Sequence, residues 1–71
     1  MNAKLRELLK KHPAPWRTGG TGKSDPHYLR EVRDATGDGI AWCGGIDGVE
    51  VAAAIVATVN EAVRGESEGA S

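Results

Sequence analysis

The sequence predicts an α+β domain with an N-terminal helix, a small antiparallel sheet of two or three strands, and a long C-terminal helix packed on it. Three observations support this fold class. An amphipathic segment ends at Pro13, a glycine-rich turn precedes the apolar run 40–43, and a segment rich in valine and alanine follows Asp47. A sheet that buries one face beneath segregated helices is the α+β arrangement.

The N-terminal helix is predicted over residues 3–11. Asn2 is a residue type that caps helices, because its side chain accepts a hydrogen bond from the first turn. Leucines three and four residues apart form one apolar stripe, which consists of Leu5, Leu8 and Leu9. Proline has no amide hydrogen and cannot continue a helix, so Pro13 ends it.

The segment 25–34 has two interpretations, a second helix or the first strand of a hairpin. Asp25 followed by Pro26 is typical of a helix start. However, residues 28–33 alternate as a strand does, and Thr-Gly-Asp-Gly at 36–39 is typical of a hairpin turn. The hairpin is the favoured interpretation, with an apolar second strand directly after the turn.

A long C-terminal helix is predicted from Asp47 to Val63. Asp47 and Glu50 have the spacing of a capping box. The apolar face of this helix is wider than a small hairpin covers, so either the N-terminal helix or a second copy of the chain covers the rest. We expect a homodimer whose interface includes Val51, Ile55, Val59 and Ala62. The domain is expected to span 1–64, followed by a disordered tail over 65–71.

Charge is distributed unevenly, although the net charge is only −1. Residues 1–33 hold eight Lys or Arg against three acids, which is +5, and residues 34–71 hold one Arg against seven acids, which is −6. Such asymmetry can mark a basic binding face, although two solvated faces are the plainer interpretation. The candidate anion-binding residues are Lys4, Arg6, Lys10, Lys11, Arg17 and Lys23. The acidic pI of about 6.1 argues against a dedicated DNA-binding protein.

Two segments look like ligand-binding loops but fail at required positions. Gly-Lys-Ser at 22–24 completes a phosphate loop only if a glycine stands five residues before its first residue, where this chain has Arg17. Residues 34–39 resemble the start of a calcium loop, whose twelfth position should be glutamate and is Gly45. A flexible loop and a hairpin turn are the favoured interpretations.

No catalytic residue, cofactor or metal site is predicted. A nucleophilic cysteine needs a histidine and an electropositive setting, whereas a cysteine at the end of an apolar strand, such as Cys43, is usually a small buried apolar residue. His12 and His27 are fifteen residues apart with no cysteine near either, which is not a zinc-binding spacing. We therefore expect a protein that is not an enzyme.

The three aromatic residues are the candidate partner contacts, namely Trp16, Tyr28 and Trp42. Each could instead belong to the core. A tryptophan that is exposed would be a good interface anchor, because tryptophan is enriched among the residues that dominate binding energy.

No segment reaches the roughly 20 apolar residues that span a bilayer, and the N-terminal residues have no apolar run of signal-peptide length. A single free cysteine is typical of a reducing cytosol. We expect a cytoplasmic protein with no membrane contact.

Three runs of the sequence carry a resemblance to a known group of proteins. They are Pro-Trp-Arg at 15–17, Val-Arg-Asp-Ala-Thr-Gly-Asp-Gly-Ile-Ala-Trp-Cys at 32–43, and Ala-Ala-Ile-Val-Ala-Thr-Val-Asn at 53–60. Over residues 13–61 the chain resembles small proteins encoded by bacteriophages and prophages of high-GC bacteria, especially actinobacteria. The resemblance favours the hairpin and implies no reaction.

What the resemblance implies is a small accessory protein expressed inside a bacterial host. Together with the residues above, it leads us to expect a non-enzymatic protein that binds a bacterial host protein and modulates it. The alternative is binding of nucleic acid or an anionic nucleotide through the basic N-terminal half.

Overall fold

A computed structural model of the chain describes residues 2–19, 24 and 28–69, with the side chains of these residues up to 66. It confirms the α+β fold. Its helices and strands are α1 (Ala3–Lys11), β1 (Arg17–Thr18), β2 (Glu31–Arg33), β3 (Gly39–Trp42) and α2 (Gly48–Gly69). One turn of 3-10 helix, Tyr28–Arg30, directly precedes β2.

The helix α1 has the predicted bounds. The Asn2 side chain accepts a hydrogen bond of 2.9 Å from the Leu5 N–H, as expected of an N-cap. At the other end, the His12 N–H donates to the Leu8 carbonyl oxygen at 2.7 Å and closes the last turn. Leu5 and Leu9 pack against the core, whereas Leu8 of the same predicted stripe is exposed.

The three strands form one antiparallel sheet in the order β1-β2-β3. The hairpin favoured from sequence is confirmed as β2 and β3, but β2 begins only at Glu31. The residues before it, Tyr28–Arg30, were expected in the strand and instead form the 3-10 turn, which packs on α2. The Tyr28 ring lies against Gly19, where an added Cβ would come 2.6 Å from Cζ of the tyrosine.

A bulge in the hairpin decides which β3 side chains reach the core. Val32 pairs with Ala41 while Arg33 pairs with Gly39, so Ile40 is an extra residue on β3. Ile40 packs against the core, although Trp42 two residues later is exposed. A regular strand would put both on one face, and a bulge removes that constraint.

The core lies between the sheet and the two helices. Its buried apolar residues are Trp16, Val32, Ala52 and Val59, ringed by partly buried side chains of α1, β3 and α2. Val32 is fully buried beneath α2, so its neighbours Glu31 and Arg33 point to the opposite face of the sheet. There they form an ion pair of 2.8 Å.

The helix α2 starts directly after Asp47, as predicted, but is longer than expected. It continues to Gly69, so residues 65–69, which the sequence predicts as part of a disordered tail, are helical. Arg6 of α1 contacts this extension through an ion pair of 2.6 Å with Glu66. Residues 70–71 lie outside the described residues. None of the described helices is long and apolar enough to cross a membrane.

Candidate functional site

Five of the six exposed large apolar side chains in the described part of the chain belong to the 3-10 turn packed on α2, the end of β3, the loop after it and the first turn of α2. Five residues form this surface, which we call the apolar end: Leu29, Trp42, Ile46, Val49 and Val51. Trp42 is 58% exposed and Ile46 is 96% exposed. The remaining exposed large apolar residue, Leu8, lies apart from them on α1. Exposed apolar side chains that gather in one region mark an interaction surface more often than scattered ones do.

The loop that carries Ile46 is held in place by Arg30. The Cys43 N–H donates to the Arg30 carbonyl oxygen at 2.8 Å, and the Arg30 guanidinium donates to the Gly45 carbonyl oxygen at 2.7 Å. Gly45 has a φ of +89°, a conformation that favours glycine. A Cβ on Gly48 would collide with the Cys43 carbonyl oxygen. The sequence thus builds a tight turn between β3 and α2.

The three predicted partner-binding aromatic residues have different environments. Trp16 is only 8% exposed and belongs to the core, so its assignment as a partner contact was wrong. Its indole N–H donates to the His12 carbonyl oxygen at 2.8 Å. Tyr28 is half-buried against Gly19. Trp42 pairs with Glu31 in the sheet register and shares its outward face, with its ring over Gly44. Of the three, Trp42 has the accessible surface that an anchor requires.

The predicted dimer residues lie along a shallow groove on one flank of α2. The groove is lined by Val51, Ala54, Ile55, Thr58 and Val59. Val51 is exposed and Ile55 is half-buried, and Ala62 continues the same flank. Val59 is only 7% exposed and packs in the monomer core, so it can contribute only an edge to an interface. The predicted dimer residues thus share one flank of α2, and one of them, Val59, belongs to the core.

The candidate anion-binding residues do not converge on one described site. Lys4, Arg6, Lys10 and Lys11 are all exposed on α1, while Arg17 lies on the edge strand β1. The charge of Arg6 is compensated by Glu66. Lys23 lies outside the described residues.

A polar cluster missed by the sequence analysis lies where α1 meets the hairpin turn. Asp34 is 1% exposed, and its Oδ2 is 3.0 Å from Nδ1 of His12. The same nitrogen is 3.6 Å from Oδ2 of Asp38. We call His12, Asp34 and Asp38 the His-Asp cluster. Zinc-site spacing could not reveal it, because His12 precedes Asp34 by 22 residues and belongs to another element.

The hairpin turn is organised around the buried carboxylate of Asp34. Its Oδ1 accepts hydrogen bonds from the Thr36 hydroxyl at 2.5 Å, the Thr36 N–H at 2.8 Å and the Asp38 N–H at 3.1 Å. The bond from the Thr36 side chain, supported by the contact with His12, lowers the pKa of Asp34 from 3.8 to about 2, although burial opposes the shift. Asp34 is therefore ionised at neutral pH. The residues that suggested a calcium loop build a turn instead.

Asn60 is a second residue whose role sequence patterns did not reveal. Its side chain accepts from the Trp16 N–H at 2.8 Å and donates to the Trp16 carbonyl oxygen at 2.9 Å. One feature of the sequence could have indicated this role. Asn60 is an amide in the middle of an otherwise apolar helix face, where a polar side chain needs a hydrogen-bond partner.

These arrangements suit different chemistry. The apolar end can bury the apolar surface of a partner, and the His-Asp cluster combines two carboxylates with an imidazole. Cys43, predicted as a small buried apolar residue, is a free thiol that packs beside the core and is only half-buried. Comparison of the chain with protein-family models, curated proteins and solved structures finds no match.

Proposed function

We propose that this chain is a non-enzymatic protein-binding module that occupies a surface of a bacterial host protein through its apolar end. The observation that carries the proposal is the exposure of Trp42 and Ile46, at 58% and 96%. Water contact at large apolar side chains is unfavourable by about 25 cal/mol per Å². A partner that covers them gains this free energy, and tryptophan is a frequent anchor of such contacts.

The fixed shape of the loop between β3 and α2 supports the same function. Arg30 holds this loop through its carbonyl oxygen and its guanidinium, next to Ile46. A surface that is already ordered loses less conformational entropy on binding than a mobile one. The partner therefore meets a preformed surface.

The sequence resemblance supports the kind of partner proposed here. Similarity to small phage and prophage proteins supports a bacterial host protein as the target and the cytoplasm of the infected cell as the location. An accessory protein that modulates a host protein by covering its surface needs no catalytic group of its own.

An affinity pull-down with matched variants tests the proposal. The tagged full chain, its Ile46→Ser and Trp42→Ala variants, and the control Leu8→Ser are used as baits in bacterial lysate treated with nuclease. Leu8 is also exposed, but it lies outside the apolar end. We expect the wild type and Leu8→Ser to enrich the same protein, and the other two variants to lose it. Equal enrichment by all four folded baits would overturn the proposal.

The alternative is nucleic-acid binding, favoured by the four exposed cations of α1. Such binding depends on counterion release, so affinity for a nucleic-acid duplex should fall steeply as salt rises. The double variant Lys10→Ala/Lys11→Ala and the variant Ile46→Ser distinguish the two functions. Loss of nucleic-acid binding in the double variant, with binding intact in Ile46→Ser, would favour this alternative over the protein partner.

We also propose that the chain forms a homodimer through the groove on α2. Val51, Ile55, Thr58 and Ala62 are spaced four, three and four residues apart, which is the spacing of a helix–helix seam. The small core supports a second copy as the occupant, because four buried apolar residues in the described part stabilise a domain only weakly. The groove shares Val51 with the apolar end but contains none of the residues varied in the pull-down, so the two proposals can be tested separately.

A further inference from the structure

The His-Asp cluster has no part in the proposed protein binding, and its geometry suits a metal ion. One ligand atom from each of its residues lies within 4.8 Å of the others. From Nδ1 of His12 the carboxylate oxygens of Asp34 and Asp38 are 3.0 and 3.6 Å away. Ligands bound tetrahedrally at zinc distances are separated by about 3.3–3.6 Å. These two separations are therefore within a few tenths of an ångström of those in a tetrahedral site, and closing the third, between Asp34 and Asp38, completes one face.

The buried carboxylate of the cluster is already oriented. Three hydrogen bonds hold Oδ1 of Asp34, from the backbone and hydroxyl of Thr36 and from the Asp38 N–H. The other oxygen of this carboxylate, Oδ2, faces Nδ1 of His12. Ligating carboxylates in metal sites are commonly fixed by such outer hydrogen bonds, which reduce the entropy lost on metal binding.

The charge of the cluster also favours a cation. Among the described residues, His12 is the only ion-pair partner of either Asp34 or Asp38. Two carboxylates thus face a single imidazole. The Asp38 side chain is 65% exposed and the His12 side chain is 26% exposed, so the cluster is open to solvent on the side of Asp38.

We propose that His12, Asp34 and Asp38 bind a divalent cation of the zinc type and thereby join the end of α1 to the hairpin turn. One imidazole nitrogen with two carboxylate oxygens is a ligand set that zinc accepts, with water as the fourth ligand. On binding, the imidazole adopts the tautomer with its proton on Nε2, and the Nδ1 lone pair replaces the hydrogen bond to Asp34. The metal then contacts two elements that are distant in sequence.

Calorimetric titration of the metal-free full chain with zinc chloride tests the site. We expect saturable binding of one zinc ion per chain and an unfolding temperature that rises with zinc, because zinc binds the folded state preferentially. Asp38→Asn should weaken binding by about tenfold or more. Asp38 contributes its backbone N–H to the turn, so this variant leaves the turn's hydrogen bonds in place. His12→Gln should abolish binding.

The second histidine supplies a matched control. His27→Gln, whose position lies outside the described residues, should bind zinc as the wild type does. Nitrogen-15 spectra of the His12 ring should show the Nε2–H tautomer only when zinc is present. If Asp38→Asn binds zinc as the wild type does, the binding is adventitious binding at a surface histidine, and the proposal is overturned. Absence of saturable binding, or loss of binding in His27→Gln alone, would do the same.

Discussion

The side-chain amide of Asn60 links α2 to Trp16, the residue directly before β1. Both the N–H and the carbonyl oxygen of Trp16 bond to it, at 2.8 and 2.9 Å. Backbone polar groups in a partly buried place need such partners, and here one side chain takes the position that a neighbouring strand would have. The packing of Trp16 in the core depends on this anchoring.

We expect Asn60→Ala to lower the free energy of unfolding by roughly 1–3 kcal/mol, because it leaves two backbone groups of Trp16 without partners. Urea unfolding followed by tryptophan fluorescence measures the change. Glu61→Ala, at the adjacent exposed position, is the control and should change stability by less than about 0.5 kcal/mol. Equal effects of the two substitutions would contradict the role assigned to Asn60.

The ionisation of Asp34 should make stability depend on pH in the acid range. Its pKa is about 2 in the fold against 3.8 ordinarily. A lowered folded-state pKa means that the stabilisation is fully present above the unfolded-state value and is lost as pH falls through the folded-state value. Asp34→Asn removes this titration, so the wild type should exceed the variant in stability near neutral pH.

The difference in free energy of unfolding between wild type and Asp34→Asn should therefore become smaller as pH falls from about 4 to about 2. Denaturant unfolding across that range, with a chelator present to exclude metal ions, measures it. Glu61→Gln, at an exposed acid in α2, corrects for general charge effects. A gap that stays constant over the interval would show that Asp34 is not stabilised as its ionised form.

At the scale of elements, the connection between β3 and α2 depends on a glycine. Gly48 is buried against the Cys43 carbonyl, and Cδ of Arg30 would lie 3.2 Å from an added Cβ. Gly48→Ala should destabilise the fold by roughly 1–3 kcal/mol, because backbone must move to admit the methyl group. The loop that carries Ile46 would shift with it.

Gly65→Ala is the matched control for Gly48→Ala within the same helix. Nothing lies within 4 Å of a Cβ at Gly65, so alanine should raise stability by roughly 0.5–1 kcal/mol through its better helix propensity. Thermal unfolding of both variants compares them. A Gly48→Ala protein as stable as the wild type would mean that the turn accommodates a side chain, contrary to the geometry.

At the scale of the whole molecule, the core is small, so the stability of the fold should depend on the proposed dimer. If folding is coupled to association, the unfolding midpoint of the wild type should rise with protein concentration. Val51→Lys places a charge in the α2 groove and should remove that dependence and give a monomer in sedimentation equilibrium. Leu8→Lys places the same charge at an exposed apolar position on α1 and should leave the dimer intact. A monomeric wild type at all concentrations would rule the dimer out.

Local signals were sufficient for most of the elements. Asn2 and Pro13 set the ends of α1, and the glycines around Asp38 indicated a hairpin, because capping, chain breaking and tight turns involve only a few consecutive residues. The α2 start followed Asp47 for the same reason. The α2 end was misjudged, since small polar residues gave no indication that Glu66 would contact α1.

The sequence by itself determined the fold class, the order of the elements and the apolar flank of α2, since each depends on periodicity or turn chemistry within a short window. Only the tertiary structure decided that Trp16 is buried and Trp42 exposed. Trp16 is buried because its segment packs against α2, where Asn60 bonds to its backbone, and Trp42 is exposed because a bulge at Ile40 changes which face each β3 side chain takes. It also joined His12 to Asp34 and Trp16 to Asn60 across 22 and 44 residues. Such pairs form only when separate elements pack together, so their partners carry no short-range pattern.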